Sequence, residues 1–544
     1  MTQANAATGP ASERPADAGR DAAKVWLVGG GIACLAAAVF MIRDGDVLGQ
    51  NITVLEARDK VGGSLDGAGS PQGGYVLRGG RMFESKYRCT FDLFSSIPTL
   101  DGSRSVTEET LAWNETLQTS SKARLVRDGR RQTAPQFGLS ERQILTIERL
   151  ALEPEALLGK TSIADQFDAA FFTTDFWFMW CTTFAFQPWH SAVEFKRYLV
   201  RFAHMVGGFN RLEGIMRTVY NQYDSLVRPL RKWLDERGVV FALNTRVTDL
   251  GLHEADGATT VQRIVCERDG RAGEIAVGGG DHVLVTLGSM TEASSLGDMD
   301  TAPRLNGKEA AGMWRLWEKL AAGRPAFGHP ATFADHIEQS KWVSFTTTLR
   351  DPTMLRLVRE LTGNVPGEGG LITLPQCNWL MSIVVPHQPH FIGQPDDVGV
   401  FWGYGLAVDT PGNFVAKPMS ACTGREIMTE LLAHLRIAAE ASRILASCTC
   451  IPCMMPFITS QFLPREKGDR PRVVPAGSRN LAFIGQFCEL PEDVVFTVEY
   501  SIRSAQVAVC AMLDLERRPP AVYHGKLNPR VLFRAFTALH DLAS

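Results

Sequence analysis

No apolar run in these 544 residues reaches the roughly 18 needed to span a bilayer, so no membrane-crossing helix is expected. Residues 1–23 are rich in Ala, Asp, Arg and Gly and hold no apolar core of a signal peptide. They read as a disordered leader. An excess of either charge is also missing: the formal net charge is −3, which gives no electrostatic reason to expect nucleic acid as a partner. The 11 cysteines are odd in number and follow no signal peptide, which argues against a disulfide framework and for reduced thiols in a cytoplasm. Cys448, Cys450 and Cys453 form a C-x-C-x-x-C cluster, yet no second Cys or His pair follows at zinc-like spacing. With Ile451, Met454 and Met455 around them they read as buried core thiols, and no metal is expected.

What remains is an ordinary globular composition, 45% apolar and 21% charged, in a chain long enough for two or three domains. Its organising stretch is 24–56. An apolar run, Val25-Trp26-Leu27-Val28, breaks into Gly29-Gly30-Gly31. An Ala-rich helical segment follows, and a second apolar run ends at Glu56. Gly29 makes the tight turn, Gly31 allows close approach of a pyrophosphate, and the amides that open the helix at Ile32 and Ala33 face its charge. Cys34 stands where a third glycine is usual. Glu56 lies about where a carboxylate bonds a ribose hydroxyl. NAD and FAD share this unit. The Gly62-Gly63-Ser64 pair-and-serine just past the second strand, and a sheet completed by distant segments, favour FAD. The completing strands are expected at 239–243, leading into Arg246-Val247, at 281–289, ending in Gly288-Ser289, and at 480–487, which contains Gly485. A helix from about 497 to 515 should follow the last of them.

Residues 108–235 have a different character. Aromatics crowd between Phe167 and Trp189, a density that serves core packing or lines a long apolar pocket. Residues 194–202 read as an amphipathic helix with Tyr198 and Phe202 on one face. From 302 to 434 helices alternate with β-rich pieces such as 342–349 and 379–385. The tail beyond Pro519-Pro520 places Leu532, Phe533, Phe536 and Leu539 on one helical face, near Lys526, Arg530 and Arg534. It either docks on the body of the protein or touches a membrane surface.

Ten strings carry a family resemblance. Seven of them are VWLVGGGIACLAAAVFMIRDG (25–45), RGGRMFES (78–85), FAFQPWHSAVEFKRYLVRF (184–202), YNQYDSL (220–226), HQPHF (387–391), MPFITSQFLPR (455–465) and GDRPRVVPAGS (468–478). GGSLDG (62–67), FIGQFCE (483–489) and FTVEYSIR (496–503) add to them. Together they resemble the oleate hydratases, flavoproteins also called the myosin-cross-reactive antigen family. The resemblance implies addition of water across the cis double bond of a long-chain unsaturated fatty acid, giving 10-hydroxystearate from oleate. It implies FAD without net redox, and a monomer or homodimer.

The implied fold is α/β. A Rossmann-like FAD-binding domain is assembled from 24–107, 236–300 and 440–515. A mixed α+β substrate domain, 108–235 and 301–439, is inserted, and 516–544 forms a C-terminal helical segment. The candidate cofactor residues are Gly29, Gly31, Ile32, Ala33, Glu56, Gly63, Ser64, Arg81, Val247, Gly288, Ser289 and Gly485. The family's proton donor falls on Tyr198. The glutamate that usually follows the Arg-Gly-Gly-Arg string is Met82 here, and a thioether cannot take a proton at neutral pH. Three readings follow. Water is held by backbone and nearby polar groups, or Glu84 substitutes through a shifted loop, or the chain binds fatty acids with little activity. Gln222, Asn378 and His387 are candidates for the carboxylate end, with Tyr223 and His390 close by. A flavin oxidoreductase acting on a lipid and a non-catalytic fatty-acid-binding flavoprotein are the rival classes.

Overall fold

The computed structural model describes residues 23–80, 82–133, 135–525 and 528–541, so most of the expected leader, Arg81 and Lys526 lie outside the described residues. The fold is α/β. Its organising sheet has five strands: β1 (Val25–Val28), β2 (Ile52–Leu55), β3 (Val240–Ala242), β4 (His282–Thr286) and β5 (Leu481–Ile484). Their spatial order is β5-β4-β1-β2-β3, and every neighbouring pair is parallel. Parallel strands covered on both faces read as short, continuous apolar runs. That is how VWLV, ITVL, HVLVT and LAFI stand in the sequence.

Between β1 and β2 runs α1 (Ile32–Arg43), whose residues Ile32 to Met41 are all buried. A helix apolar on every side must be covered all round. The sheet covers one side of it, and the long helix Val498–Met512 packs along another. An antiparallel three-stranded sheet, Thr245–Ala255, Ala258–Arg268 and Arg271–Ala276, is appended after β3.

The second part is built on an eight-stranded mixed sheet centred on Trp342–Leu349, every residue of which is buried. The strand Cys448–Met455 pairs antiparallel with it and carries Cys448, Cys450 and Cys453 into the core. All eleven cysteines are free and buried. The aromatic run from Phe167 to Trp189 divides its service. Phe171, Phe176, Trp177 and Trp180 pack against one another in the core, while Phe184 reaches a cavity beside Tyr198.

Arg124 ties these aromatics to the sheet. It is fully buried, and burial pulls its pKa down to about 9. It donates to the carbonyls of Leu371, Phe209 and Met179 and to the Thr183 hydroxyl, at 2.8–3.2 Å. Among the described residues no helix is long and apolar enough to cross a membrane. The C-terminal helix Pro529–Leu539 rests on the segment Ala203–Arg211. The four apolar residues of its expected single face part company: Leu539 is buried, but Leu532 (48%), Phe533 (69%) and Phe536 (46%) face outward.

Candidate active site

The C-terminal ends of the parallel strands open onto a cleft, where ligands of such sheets bind. Gly29 sits there at φ +103°, a conformation that favours glycine, and a Cβ on it would meet the Thr286 side chain at 3.2 Å. Its N–H donates to the Leu55 carbonyl. Gly31 is different: its φ is ordinary, and a Cβ there would meet nothing within 4 Å. No side chain caps the helix it opens, so the first amides of α1 stand free at the cleft as an anion cradle.

Glu56 accepts the Gly30 N–H at 2.6 Å and the Arg58 N–H at 2.8 Å, and burial outweighs these bonds to raise its pKa. The carboxylate thus props the glycine turn as well as facing the cleft. Ile32, Ala33, Gly63, Ser64, Val247, Gly288, Ser289 and Gly485 line the same cleft. Arg81 lies outside the described residues. Two wall residues that the sequence did not single out are Glu292 and Gln486. Glu292 is held on the Met313 N–H at the start of the helix Gly312–Ala321, and burial pushes its pKa up to about 7.

A second chamber shares Ile32, Ser64, Met290, Gln486 and Ser501 with the cleft. Its walls include Met82, Glu84, Phe184, Tyr198 and Phe202. Tyr198 stands on the helix Ala192–Arg201, started by Ser191, whose hydroxyl accepts the Glu194 N–H. The phenol is 1% exposed and donates to the Val495 carbonyl at 2.5 Å. Burial raises its pKa well above 10, with Tyr87 and Glu194 adding to the rise and Arg201 opposing it.

One turn before Tyr198, Glu194 takes the Arg465 Nε–H at 2.9 Å and the Arg470 Nη1–H at 3.0 Å. Burial alone would raise this carboxyl, but Arg470, Arg465 and Arg197 hold it at about 2, below its ordinary 4.5. A depressed folded-state value stabilises above the unfolded value. That contribution is therefore complete above about pH 4.5 and lost as pH falls toward 2. Glu194→Gln is expected to lower the urea midpoint at pH 7 and to flatten its decline between pH 4.5 and 2. A wild-type slope in the variant would show that the cluster does not hold the helix.

Glu84 is committed. It is 1% exposed, 2.8 Å from Arg201 Nη1 and 3.2 Å from His204 Nε2, and it accepts the Lys86 N–H at 2.7 Å. Burial pushes its pKa up, but the His204 hydrogen bond and the Arg201 charge outweigh that and lower it. Such a carboxylate is a weak base. Residues 83–84 pair with Ile215–Met216, so Met82 enters the chamber just ahead of a short strand. Met82 also lines a third, outer cavity, as do Ser64, Leu65, Gly80 and Gln222. The Gln222 side chain leads off the π-helical turn Tyr223–Val227, a local widening often found at functional sites, and its Oε1 is buried with no partner.

His387 and His390 stand in the outer cavity with Trp113 and Arg217. Burial lowers both imidazoles, His390 to about 3. Asn378 belongs elsewhere, which corrects the expectation for it: it is exposed, lines none of the three cavities, and spends its amide on the Pro411 carbonyl at 3.0 Å. Arg217 went unnoticed in the sequence, where nothing but its place three residues before YNQYDSL marks it. Among the described residues one group has metal-type donors in reach of one another: Cys377, Glu430 and His434. Its Glu430 carboxylate already accepts the N–H groups of Asn413, Phe414 and Val415.

A parallel sheet with a glycine turn over a cleft, sharing part of its lining with a second chamber, defines a Rossmann-like α/β protein. A putrescine oxidase solved with putrescine bound matches 90% of this chain and 99% of its own at a TM-score of 0.52 and 13% identity. Cyclohexylamine oxidase from Brevibacterium oxydans IH-35A matches the same shares at 0.53 and 13%. These likenesses speak for the fold alone. By sequence, the MCRA family model matches residues 22–510, and the chain belongs to the MCRA family. It is 40% identical over 537 residues to an oleate hydratase of Streptococcus pyogenes serotype M49 (strain NZ131), covering 96% of this chain and 90% of that one. It is 32% identical over 564 aligned residues to a linoleate hydratase of Lactiplantibacillus plantarum, covering 95% and 98%.

Proposed function

We propose that this protein is a fatty acid hydratase that adds water across the cis double bond of oleate or a related unsaturated fatty acid. Oleate would give 10-hydroxystearate. The reading is carried by one observation: a buried phenol, Tyr198, stands in a chamber that shares its wall with the cleft at the glycine turn. The names of the two relatives fit it. FAD is the cofactor proposed for the cleft. The free α1 amides suit its pyrophosphate, Glu56 a ribose hydroxyl, and the open space at Gly31 a close approach. Bound there, FAD would supply a polarisable ring beside the chamber and would not change redox state per product.

In the hydration step the Tyr198 O–H gives its proton to one alkene carbon while a water oxygen bonds to the other. The water's spare proton returns to the phenolate, so the enzyme is regenerated and one water is gained. Arg201, the cation that opposes the phenol's raised pKa, stabilises the transient phenolate. The faces of Phe184 and Phe202, packed on Tyr198 at centroid distances of 4.9 and 5.4 Å, offset the positive charge that develops on carbon. Met82 takes no proton, and Glu84 is held by Arg201 and His204. Water is therefore held by the partnerless Gln222 Oε1, on a residue that lines both the chamber and the outer cavity.

The eleven free thiols suit a reducing cytoplasm. The outward Leu532, Phe533 and Phe536, with Arg530 and Arg534 on the same helix, suit peripheral contact with a membrane surface. The function is tested by following the bound flavin's absorbance during anaerobic turnover of oleate. A hydratase forms product with no net flavin change. A lipid oxidoreductase, the rival that the shared fold raises, would reduce the flavin once per product.

A further inference from the structure

Arg217 is a cation with no anion beside it. Its side chain lines the outer cavity, and burial, with no opposing charge, pulls its pKa down to about 10. Nη1 donates to the Gly367 carbonyl at 3.2 Å. Nε and Nη2 are buried and meet no acceptor among the described residues. Those two N–H groups form one edge of the guanidinium plane, the parallel pair that matches the two oxygens of a carboxylate. A buried charge left unpaired is costly, so an edge kept in this state is a place for a ligand. Arg124, fully buried, shows the alternative, with its donors spent on protein oxygens.

Among the described residues no acidic side chain is free to pair with it. Asp66 is the acidic side chain that lines this cavity, and it is taken by Arg58 at 2.7 Å and Arg78 at 2.8 Å. The two imidazoles in the cavity are kept neutral by burial, His390 further by the Arg217 charge itself. The backbone at Arg217 is also held in place. Asn114 accepts the Arg217 N–H at 2.9 Å and donates to its carbonyl at 2.7 Å. The preceding strand Ile215–Met216 pairs with Phe83–Glu84, which fixes Arg217 relative to the chamber of Met82 and Tyr198.

We propose that the Nε/Nη2 edge of Arg217 anchors the carboxylate of the fatty acid, whose apolar chain then passes Met82 into the Tyr198 chamber. This rests on the hydratase reading, and it makes Arg217 the residue that selects free acids over esters and alcohols of the same chain.

The test compares FAD-loaded wild type, Arg217→Met and Arg217→Lys on oleate, methyl oleate and oleyl alcohol. The wild type prefers oleate. Arg217→Met is expected to raise KM for oleate about 10- to 100-fold, the worth of a charge-assisted pair. It should change kcat much less and erase the preference for oleate over the other two. Arg217→Lys, which keeps the charge without the fork, restores part of that preference. Flavin content and the unfolding midpoint report whether each variant is intact. An unchanged KM for oleate in Arg217→Met overturns the proposal, and so does an equal loss on all three lipids. Should the wild type add no water to oleate, the hydratase reading falls. Equilibrium binding of the same lipids then decides the anchor: selective weakening of oleate by Arg217→Met supports it, and unaltered oleate affinity overturns it.

Discussion

Tyr198→Phe is expected to lower the rate of hydration by about 10²- to 10⁴-fold, the span typical of a lost general acid. The ring, its packing against Phe184 and Phe186, and the apolar wall it forms are all retained in the variant. What goes is one O–H and its bond to the Val495 carbonyl, which costs about 1 kcal/mol of stability in a chain this size. Oleate affinity and flavin content should therefore stay near wild type while kcat collapses. Burial raises the phenol's pKa well above 10, so the proton is in place through the neutral range. The rate should show no titration of Tyr198 between pH 6 and 9. Turnover that survives the substitution would remove Tyr198 from the reaction.

Gly31→Val is expected to weaken FAD affinity on the order of 100-fold, about two tenfold steps of 1.4 kcal/mol, and to lower hydration in parallel. The backbone at Gly31 is one that any residue adopts, and a Cβ there points into open cleft. The apoprotein should thus unfold at its wild-type midpoint. Gly29→Val makes the contrast. At φ +103° and 3.2 Å from Thr286 it should strain the turn and lower stability outright. Equilibrium titration of FAD and thermal unfolding of the two apoproteins separate these outcomes. Retention of FAD by an intact Gly31→Val protein would place the cofactor somewhere other than this cleft.

The parallel sheet was legible because each of its strands is a short apolar run beside a glycine or a turn, and because α1 is apolar on every face. The helix bearing Tyr198 was legible from its amphipathic spacing. What stayed hidden depends on pairings across long separations. Glu84 looked like a spare carboxylate at two residues from Met82. Its fate is set by Arg201 and His204, over a hundred positions away and brought in by the pairing of Phe83–Glu84 with Ile215–Met216. Asn378 drew notice because it lies near HQPHF, but the chain turns there and spends it on the loop at Pro411. Arg217 is one of many arginines in sequence. Only enclosure without an acceptor sets it apart, and enclosure is a tertiary property. The C-terminal helix was read correctly as amphipathic in pattern, yet it docks through Leu539 and turns Phe533 outward.

Net addition of water at Tyr198's chamber, with FAD in the neighbouring cleft, is tested most directly by incubating oleate with the FAD-loaded protein under reducing conditions in ¹⁸O-labelled water and reading the product by mass spectrometry. The expected product is oleate plus one labelled water, with the oxygen on C10, and no such product from Tyr198→Phe. A product that has lost hydrogen, or oleate returned unchanged by an intact FAD-loaded protein, would contradict it.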